Sequence, residues 1–169
     1  MSITIEQKSH GVVFKGLIDC CSEFSEELFY LIKPTKDSRS GYILEVFSQD
    51  RENLEKLKLG IYIKHSSARR SPWRYSFKDF HILELDILKE ECDEVFIILV
   101  AGDDGIACIN TAKLSQILSG NFNDSSIAIS RKLNESYRVS GSDGILSTPL
   151  AKNSFPNLLK NLITSRFNL

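Results

Sequence analysis

The segment 95–101 reads VFIILVA, seven apolar residues in a row, and it constrains the fold more than any other part of the chain. The run is far shorter than the roughly 18 apolar residues of a membrane span. A strand with one solvent-exposed face would alternate apolar and polar residues, and this segment does not. The run therefore predicts a strand buried on both faces, central in its sheet and flanked by helices.

Shorter patterned segments surround this strand. Apolar and β-branched runs bounded by Gly, Pro or polar clusters predict strands over 28–33, 42–47, 59–64, 73–77, 106–109, 127–130 and 137–140. Helical spacing and capping residues predict helices over 4–20, 78–92, 111–118 and 157–166, with a loop over 120–126. Hairpin patterns dominate and no βαβ repeat runs through the chain. We predict one α+β domain over 1–169, with a mixed, mostly antiparallel sheet.

Two of these elements carry specific side-chain predictions. In the helix over 78–92 the apolar stripe is assigned to Phe80, Leu83, Ile87 and Leu88, which should face the core. In the strand over 73–77 three aromatic residues alternate with polar ones, which predicts rings on one face and polar groups on the other. The rings either fill the core or, for Trp73 and Tyr75, stack on the bases of a nucleic acid.

The charges of the chain are unevenly distributed. The 169 residues are 42% apolar and 25% charged, as is ordinary for a globular protein, and the net charge is −1. Whole-molecule charge therefore cannot drive binding to a polyanion, so such binding needs a local patch. Five cations and no acid lie between residues 64 and 78, whereas nine acids and one cation lie between 79 and 104. Two solvated faces or a polarised surface would both give this pattern.

The basic segment is the best candidate for a binding site. Positive charge mixed with aromatic rings is typical of a surface that binds nucleic acid. We assign the binding role to Lys64, Arg69, Arg70, Arg74 and Lys78. A second basic group, Arg131, Lys132 and Arg138, would join it if the strands 73–77 and 127–140 are neighbours.

Several other kinds of site find little support in the sequence. No phosphate-binding glycine loop or GxSxG nucleophile motif occurs, and the three histidines lack ligand-like spacing. The Asp-Asp-Gly at 103–105 reads as a hairpin turn rather than a cation site. The four cysteines form no CxxC pair, and no signal peptide or membrane span is evident, so we expect a cytoplasmic protein without membrane contact, with Cys108 a small core residue.

The order helix, three strands, helix, strand over about residues 4–101 is similar to the core of the restriction-endonuclease-like, or PD-(D/E)xK, nucleases. The resemblance implies a catalytic role for Glu45 on the second strand and for Lys64 at the end of the third, with Mg²⁺ as the cofactor. The pattern breaks at Tyr62, where the family has an acid. A complete metal site would need a carboxylate from elsewhere, such as Asp19 or Glu6.

Three functions follow as hypotheses. The first is a nucleic-acid-binding or regulatory module, either unrelated to nucleases or a degenerate nuclease-like domain, that needs no cofactor. The second is a Mg²⁺-dependent nuclease or phosphodiesterase that uses Glu45 and Lys64. The third is a protein-interaction domain, which either self-associates or binds another protein, and in which acidic and basic surfaces act as docking faces. The metal ligands and the substrate stay unassigned.

Overall fold

The computed structural model describes residues 2–50, 52, 54–118 and 125–169. Within them the helices are α1 (Ile5–Ser22), α2 (Asp79–Glu91), α3 (Thr111–Ile117) and α4 (Ser154–Phe167). The strands are β1 (Leu28–Pro34), β2 (Gly41–Ser48), β3 (Lys56–Ser66), β4 (Trp73–Phe77), β5 (Glu94–Ala101), β6 (Gly105–Asn110), β7 (Ser125–Ser130), β8 (Arg138–Gly141) and β9 (Gly144–Ile145).

The strands form two sheets, which we call the main sheet and the small sheet. The main sheet has the order β1-β2-β3-β5-β6, and every neighbouring pair is antiparallel except β3–β5, which is parallel. The small sheet has the order β4-β7-β8-β9 and is antiparallel throughout. This confirms the predicted α+β class with mostly antiparallel pairing. The sequence had suggested one sheet, because strand patterns do not reveal which strands pair.

Strand β5 is buried on both faces, as the apolar run predicted. None of the residues 95–101 is more than 5% exposed. Ile97 and Leu99 pack into a core shared with α2, α3 and the small sheet, whereas Ile98 lies in a second core shared with α1 and α4. The strand lies between β3 and β6, one position from the edge of the main sheet.

The helix ends follow the capping chemistry of the sequence. Thr4 caps α1: its Oγ1 accepts the backbone N–H of Gln7 at 3.1 Å, and the Gln7 side chain accepts the Thr4 N–H at 2.9 Å. Asn110 caps α3 by accepting the Lys113 N–H at 3.1 Å. These two helix starts were therefore predictable from local sequence.

Helix α2 buries Leu88, as predicted, but not the other three residues of the predicted stripe. Phe80, Leu83 and Ile87 are 54%, 62% and 44% exposed, while Leu85 and Leu88 are buried. The assignment of the first three residues to the core was wrong. Leu85 and Leu88, three residues apart, form an alternative stripe, and periodicity alone cannot choose between two apolar stripes on one helix.

The rings of β4 face the core. Trp73, Tyr75 and Phe77 are at most 3% exposed, so they cannot stack on bases of a bound nucleic acid. The Trp73 indole N–H donates to the Ala68 carbonyl at 2.9 Å, and the Tyr75 hydroxyl donates to the Val100 carbonyl at 3.1 Å. Both polar atoms of these rings are therefore satisfied inside the protein.

The predicted loop over 120–126 falls partly outside the described residues. Positions 119–124 are not described, and residues 125 and 126 already belong to β7. The hairpin turn predicted at the Asp-Asp-Gly joins β5 to β6 and is confirmed.

We predict that Ile98→Asp prevents folding at 25 °C. Ile98 is 0% exposed, and an unpaired carboxylate there costs several kcal/mol, which is of the order of the whole stability of about 5–15 kcal/mol. Circular dichroism with urea titration measures this. The matched control is Ile3→Asp, at a residue that is 65% exposed, which should unfold like the wild type. A cooperative transition at the wild-type midpoint in Ile98→Asp would contradict the prediction.

Candidate functional site

The loop between β3 and β4 presents two arginines to solvent. Arg69 and Arg70 are exposed, and neither forms an ion pair with any residue that the structure describes. The loop is held by its backbone instead: the Ala68 carbonyl accepts the Trp73 indole N–H, and Ser71 Oγ accepts the Arg131 backbone N–H at 3.3 Å. The loop is therefore fixed to the small sheet while its guanidiniums stay free.

The small sheet brings the two basic segments of the sequence together. Because the rings of β4 face inward, Arg74 points to the outer face of this sheet. Arg74 is opposite Ala128 on β7, and Arg138 on β8 is opposite Ser130. Arg74 and Arg138 thus lie on the same outer face, one strand to either side of β7 and roughly 10 Å apart across the sheet.

We call the cations of this region the basic surface. Its members are Arg69, Arg70, Arg74, Lys132 and Arg138, all exposed and, among the described residues, all without an ion-pair partner. A depression of about 260 Å³ within it is lined by Ser71, Ser130, Arg131, Lys132, Glu135 and Arg138. Between Arg74 and Arg138 the outer face of β7 carries small side chains. The two arginine side chains therefore extend further from the sheet than the β7 side chains between them.

Arg131 lines this depression, but its guanidinium is paired and mostly covered. Its Nε and Nη2 donate to the two carboxylate oxygens of Asp104 at 2.6 and 2.9 Å. The Tyr137 hydroxyl donates to the same carboxylate at 2.8 Å, and the guanidinium lies 5.1 Å from the centre of the Tyr137 ring. The pKa of Asp104 is lowered, because these hydrogen bonds outweigh its partial burial. Arg131 therefore joins the β5–β6 turn to the small sheet and adds no free charge.

Lys64 is turned inward, away from the basic surface. Its Nζ lies 3.3 Å from Nε2 and 3.4 Å from Nδ1 of His81, and 5.2 Å from the centre of the Phe77 ring. Phe77 is on the inner face of β4, whereas Arg74 is on the outer face. Lys78 is exposed, but it lies four residues beyond Arg74, roughly 13 Å along the chain. Of the five residues assigned to binding, Arg69, Arg70 and Arg74 are exposed on the β3–β4 loop and on β4. Arg69 also lines a depression of about 290 Å³ with residues of α1 and with Asp103.

Lys64 and His81 lie with Tyr62 and Glu84 in a group that we call the lysine–histidine cluster. The Tyr62 hydroxyl donates to the Glu84 carboxylate, and the Lys78 backbone N–H donates to His81 Nδ1 at 3.0 Å. His81 and Glu84 also line a cleft of about 350 Å³ with Glu6, Asp37, Arg39, Ser40 and Phe80.

The pKa values of the two basic groups in the cluster, Lys64 and His81, are both lowered. Burial lowers the pKa of Lys64 to about 8. Burial, followed by the nearby Lys64 charge, lowers the pKa of His81 to about 4, so the imidazole is neutral at pH 7. With a pKa of about 8 the Lys64 amine stays mostly protonated at pH 7, next to a neutral imidazole. The sequence offered a faint signal here, since His81 and Glu84 are three residues apart on one helix face.

Glu45 and Lys64 do not share a site. Glu45 is opposite Lys58 in the β2–β3 register, and Lys64 lies six residues further along β3, roughly 20 Å away. The Glu45 carboxylate, whose side chain is 6% exposed, is instead 3.0 Å from the amines of Lys33 and Lys56 and 3.9 Å from that of Lys58. Hydrogen bonds from Lys33 and then Lys56 lower the pKa of Glu45.

The two carboxylates suggested to complete a metal site lie on α1, at different places. Asp19 is ion-paired with Lys15, whereas Glu6 lines the cleft beside His81. Over the described residues no group of three or more His, Cys, Asp or Glu side chains is arranged to hold a metal ion. The nuclease role of Glu45 and Lys64 stays a prediction.

The remaining reactive side chains are mostly buried. All four cysteines are free thiols, Cys108 is fully buried as expected, and burial raises the pKa of each. His10 is buried and its Nδ1 lies 2.9 Å from the Tyr42 hydroxyl. No helix among the described residues has the length and apolar character needed to cross a bilayer.

No protein-family model, no curated protein and no solved structure matches this chain. The resemblance to the restriction-endonuclease-like core therefore rests on element order and on two residues.

We predict that Glu45→Gln lowers the free energy of unfolding by about 1–2 kcal/mol at pH 7, because it removes charge-assisted hydrogen bonds from partly exposed lysines. The pKa of Glu45 is lowered in the folded state, so its stabilisation is complete above the unfolded value of 4.5 and is lost as the pH falls through the folded value. Urea unfolding from pH 7 to pH 3 should show the difference shrinking with acid. The exposed Glu90→Gln is the control, and equal stability of Glu45→Gln and wild type at pH 7 would contradict the prediction.

We predict that Lys64→Met raises the free energy of unfolding by about 1 kcal/mol at pH 7, a figure discounted for partial solvent exposure. The folded-state pKa of Lys64 is about 8 against 10.5. The unfolded chain therefore binds more protons between these values, and wild-type stability rises with pH across that window. Urea unfolding from pH 7 to pH 10 should show the advantage of Lys64→Met disappearing. Lys78→Met is the exposed control, and a Lys64→Met protein less stable than wild type at pH 7 would refute the prediction.

Proposed function

We propose that this chain is a nucleic-acid-binding or regulatory module that binds the phosphate backbone at the basic surface. The observation that carries the proposal is that five cations on the small sheet or on the loops next to its strands are each exposed and have no ion-pair partner among the described residues: Arg69, Arg70, Arg74, Lys132 and Arg138. The protein has a net charge of −1, so these cations are a local concentration of charge and not a share of a general excess.

The spacing of the cations supports their acting together. Arg74 and Arg138 are roughly 10 Å apart across the small sheet, about one Debye length at 0.1 M salt. The loop that carries Arg69 and Arg70 is tied to the end of β7 through Ser71 and Arg131. One polyanion can therefore contact several of these cations at once, and each contact releases counterions.

The side chains between the arginines also suit a phosphate backbone. Ser126, Ala128 and Ser130 alternate on the outer face of β7, where their small size lets a strand approach closely. Serine hydroxyls commonly donate to phosphate oxygens. The rings of β4 face inward, so we expect binding that depends on the backbone charge and has little preference for base sequence.

Fluorescence anisotropy with labelled single-stranded and duplex oligonucleotides, titrated between 50 and 200 mM salt, tests the proposal. The logarithm of the binding constant should fall linearly with the logarithm of the salt concentration, by roughly 0.7–0.9 per phosphate contact. The double variants Arg69→Glu/Arg70→Glu and Arg74→Glu/Arg138→Glu should each bind at least ~10-fold more weakly at low salt, and with a shallower slope.

The control is Lys36→Glu/Arg166→Glu, which makes the same change in net charge at exposed positions away from the basic surface. It should bind almost as the wild type does. Circular dichroism should show that all three double variants are folded, because each substituted residue is exposed. Absence of wild-type binding at low salt, or an equal loss of affinity in the control, would refute the proposal.

A further inference from the structure

Strand β1 is an open edge of the main sheet and carries large exposed apolar side chains. Phe29, Tyr30 and Leu31 are 61%, 38% and 51% exposed, and β1 pairs on one side alone, with β2. Exposed edge strands of this kind pair readily with another strand.

The opposite edge of the same sheet is covered. Helix α4 packs on β6, and Ser154 at its start accepts the backbone N–H of Cys108 at 3.1 Å. Cys108 is 0% exposed. One edge of the main sheet is therefore covered by a helix. The other edge, strand β1, is available to pair with a further strand.

The backbone bonds of β1 show which of its groups point outward. The Gln49 N–H donates to the Glu27 carbonyl at 2.9 Å, and the Thr35 N–H donates to the Gly41 carbonyl at 3.0 Å. Because bonded positions alternate in an antiparallel ladder, odd-numbered residues of β1 bond to β2. The N–H and C=O groups of Tyr30 and Ile32 and the C=O of Leu28 thus face away from the sheet, whereas the Leu28 N–H donates to the Phe24 carbonyl at 2.8 Å. Pro34, at the next outward position, has no N–H and ends the available edge.

We infer that a second copy of this chain pairs with β1 in antiparallel fashion about a two-fold axis at Tyr30, which joins the two main sheets into one. In this register the Tyr30 N–H donates to the partner's Tyr30 carbonyl and the Ile32 N–H donates to the partner's Leu28 carbonyl. The outward N–H groups of Tyr30 and Ile32 therefore both find acceptors, while the Leu28 N–H keeps its bond to the Phe24 carbonyl. Phe29 is opposite the partner's Leu31, and cross-strand apolar pairs of this kind stabilise a sheet.

Charge complementarity selects this register. With the axis at Tyr30, Glu27 is opposite the partner's Lys33, and symmetry provides the pair twice. Both side chains are available, since Glu27 is exposed and the Lys33 side chain is 45% exposed although it also contacts Glu45. Moving the axis to Phe29 places Leu31 opposite the partner's Glu27, and moving it to Leu31 places Lys33 opposite the partner's Phe29. Neither alternative places opposite charges across from each other between residues 27 and 33.

Sedimentation velocity on the full chain, from about 1 to 200 µM, tests the inference. The wild type should dimerise with rising concentration. Glu27→Lys and Lys33→Glu each place like charges opposite one another at two sites, so each variant alone should dimerise at least ~10-fold more weakly, a change of about 1.4 kcal/mol. An equimolar mixture of the two variants restores both opposite-charge pairs and should dimerise as the wild type does.

A backbone variant tests the edge itself. Tyr30→Pro removes an outward N–H that bonds to none of the residues described in the structure, so the fold should survive while the dimer is lost. Tyr30→Phe keeps the N–H and should still dimerise. Thermal unfolding checks that all variants are folded. A wild type that is monomeric at every concentration, a dimer that tolerates Tyr30→Pro, or a mixture of folded charge variants that stays monomeric would each overturn the inference.

Discussion

The burial of β5 on both faces is the constraint on which the rest of the structure depends. A strand without a wet face needs an apolar layer on each side, and here α1 with α4 supplies one and α2, α3 and the small sheet supply the other. The small sheet therefore covers part of one face of the main sheet. Its inner face is committed to the core, which leaves its outer face free to carry the arginines of the basic surface.

The ion pair between Arg131 and Asp104 connects these layers. Asp104 lies in the turn that follows β5, and Arg131 follows β7, so the pair fixes the end of the small sheet to the end of the central core strand. Tyr137 completes the contact through its hydroxyl. The same connection positions the loop of Arg69 and Arg70, because the Arg131 backbone also bonds to Ser71. The paired Arg131 and the unpaired arginines of the basic surface thus differ in whether a carboxylate contacts them.

Local sequence predicted most elements and failed where several faces were chemically similar. The caps at Thr4 and Asn110, the β5–β6 turn and the placement of the β4 rings on one face followed from residue type and spacing, whereas the structure decided that this face is the buried one. Helix α2 has two apolar stripes. Which of them is buried, here the one with Leu85 and Leu88, depends on how the helix packs against the main sheet. Glu45 had the residue type of a catalytic acid, but neighbouring strands surround it with lysines that the linear sequence places far away.

The sequence by itself determined that this chain folds around a strand buried on both faces, because seven consecutive apolar residues leave no polar side to expose. It also determined that any polyanion site must be local, because the charges nearly cancel. Tertiary structure alone decided which cations meet. Pairing of β7 with β4 on one side and with β8 on the other put Arg74 near Arg138. The Lys64 side chain instead points inward and contacts His81. Strand pairing joins residues distant in the chain, and no local pattern encodes that choice.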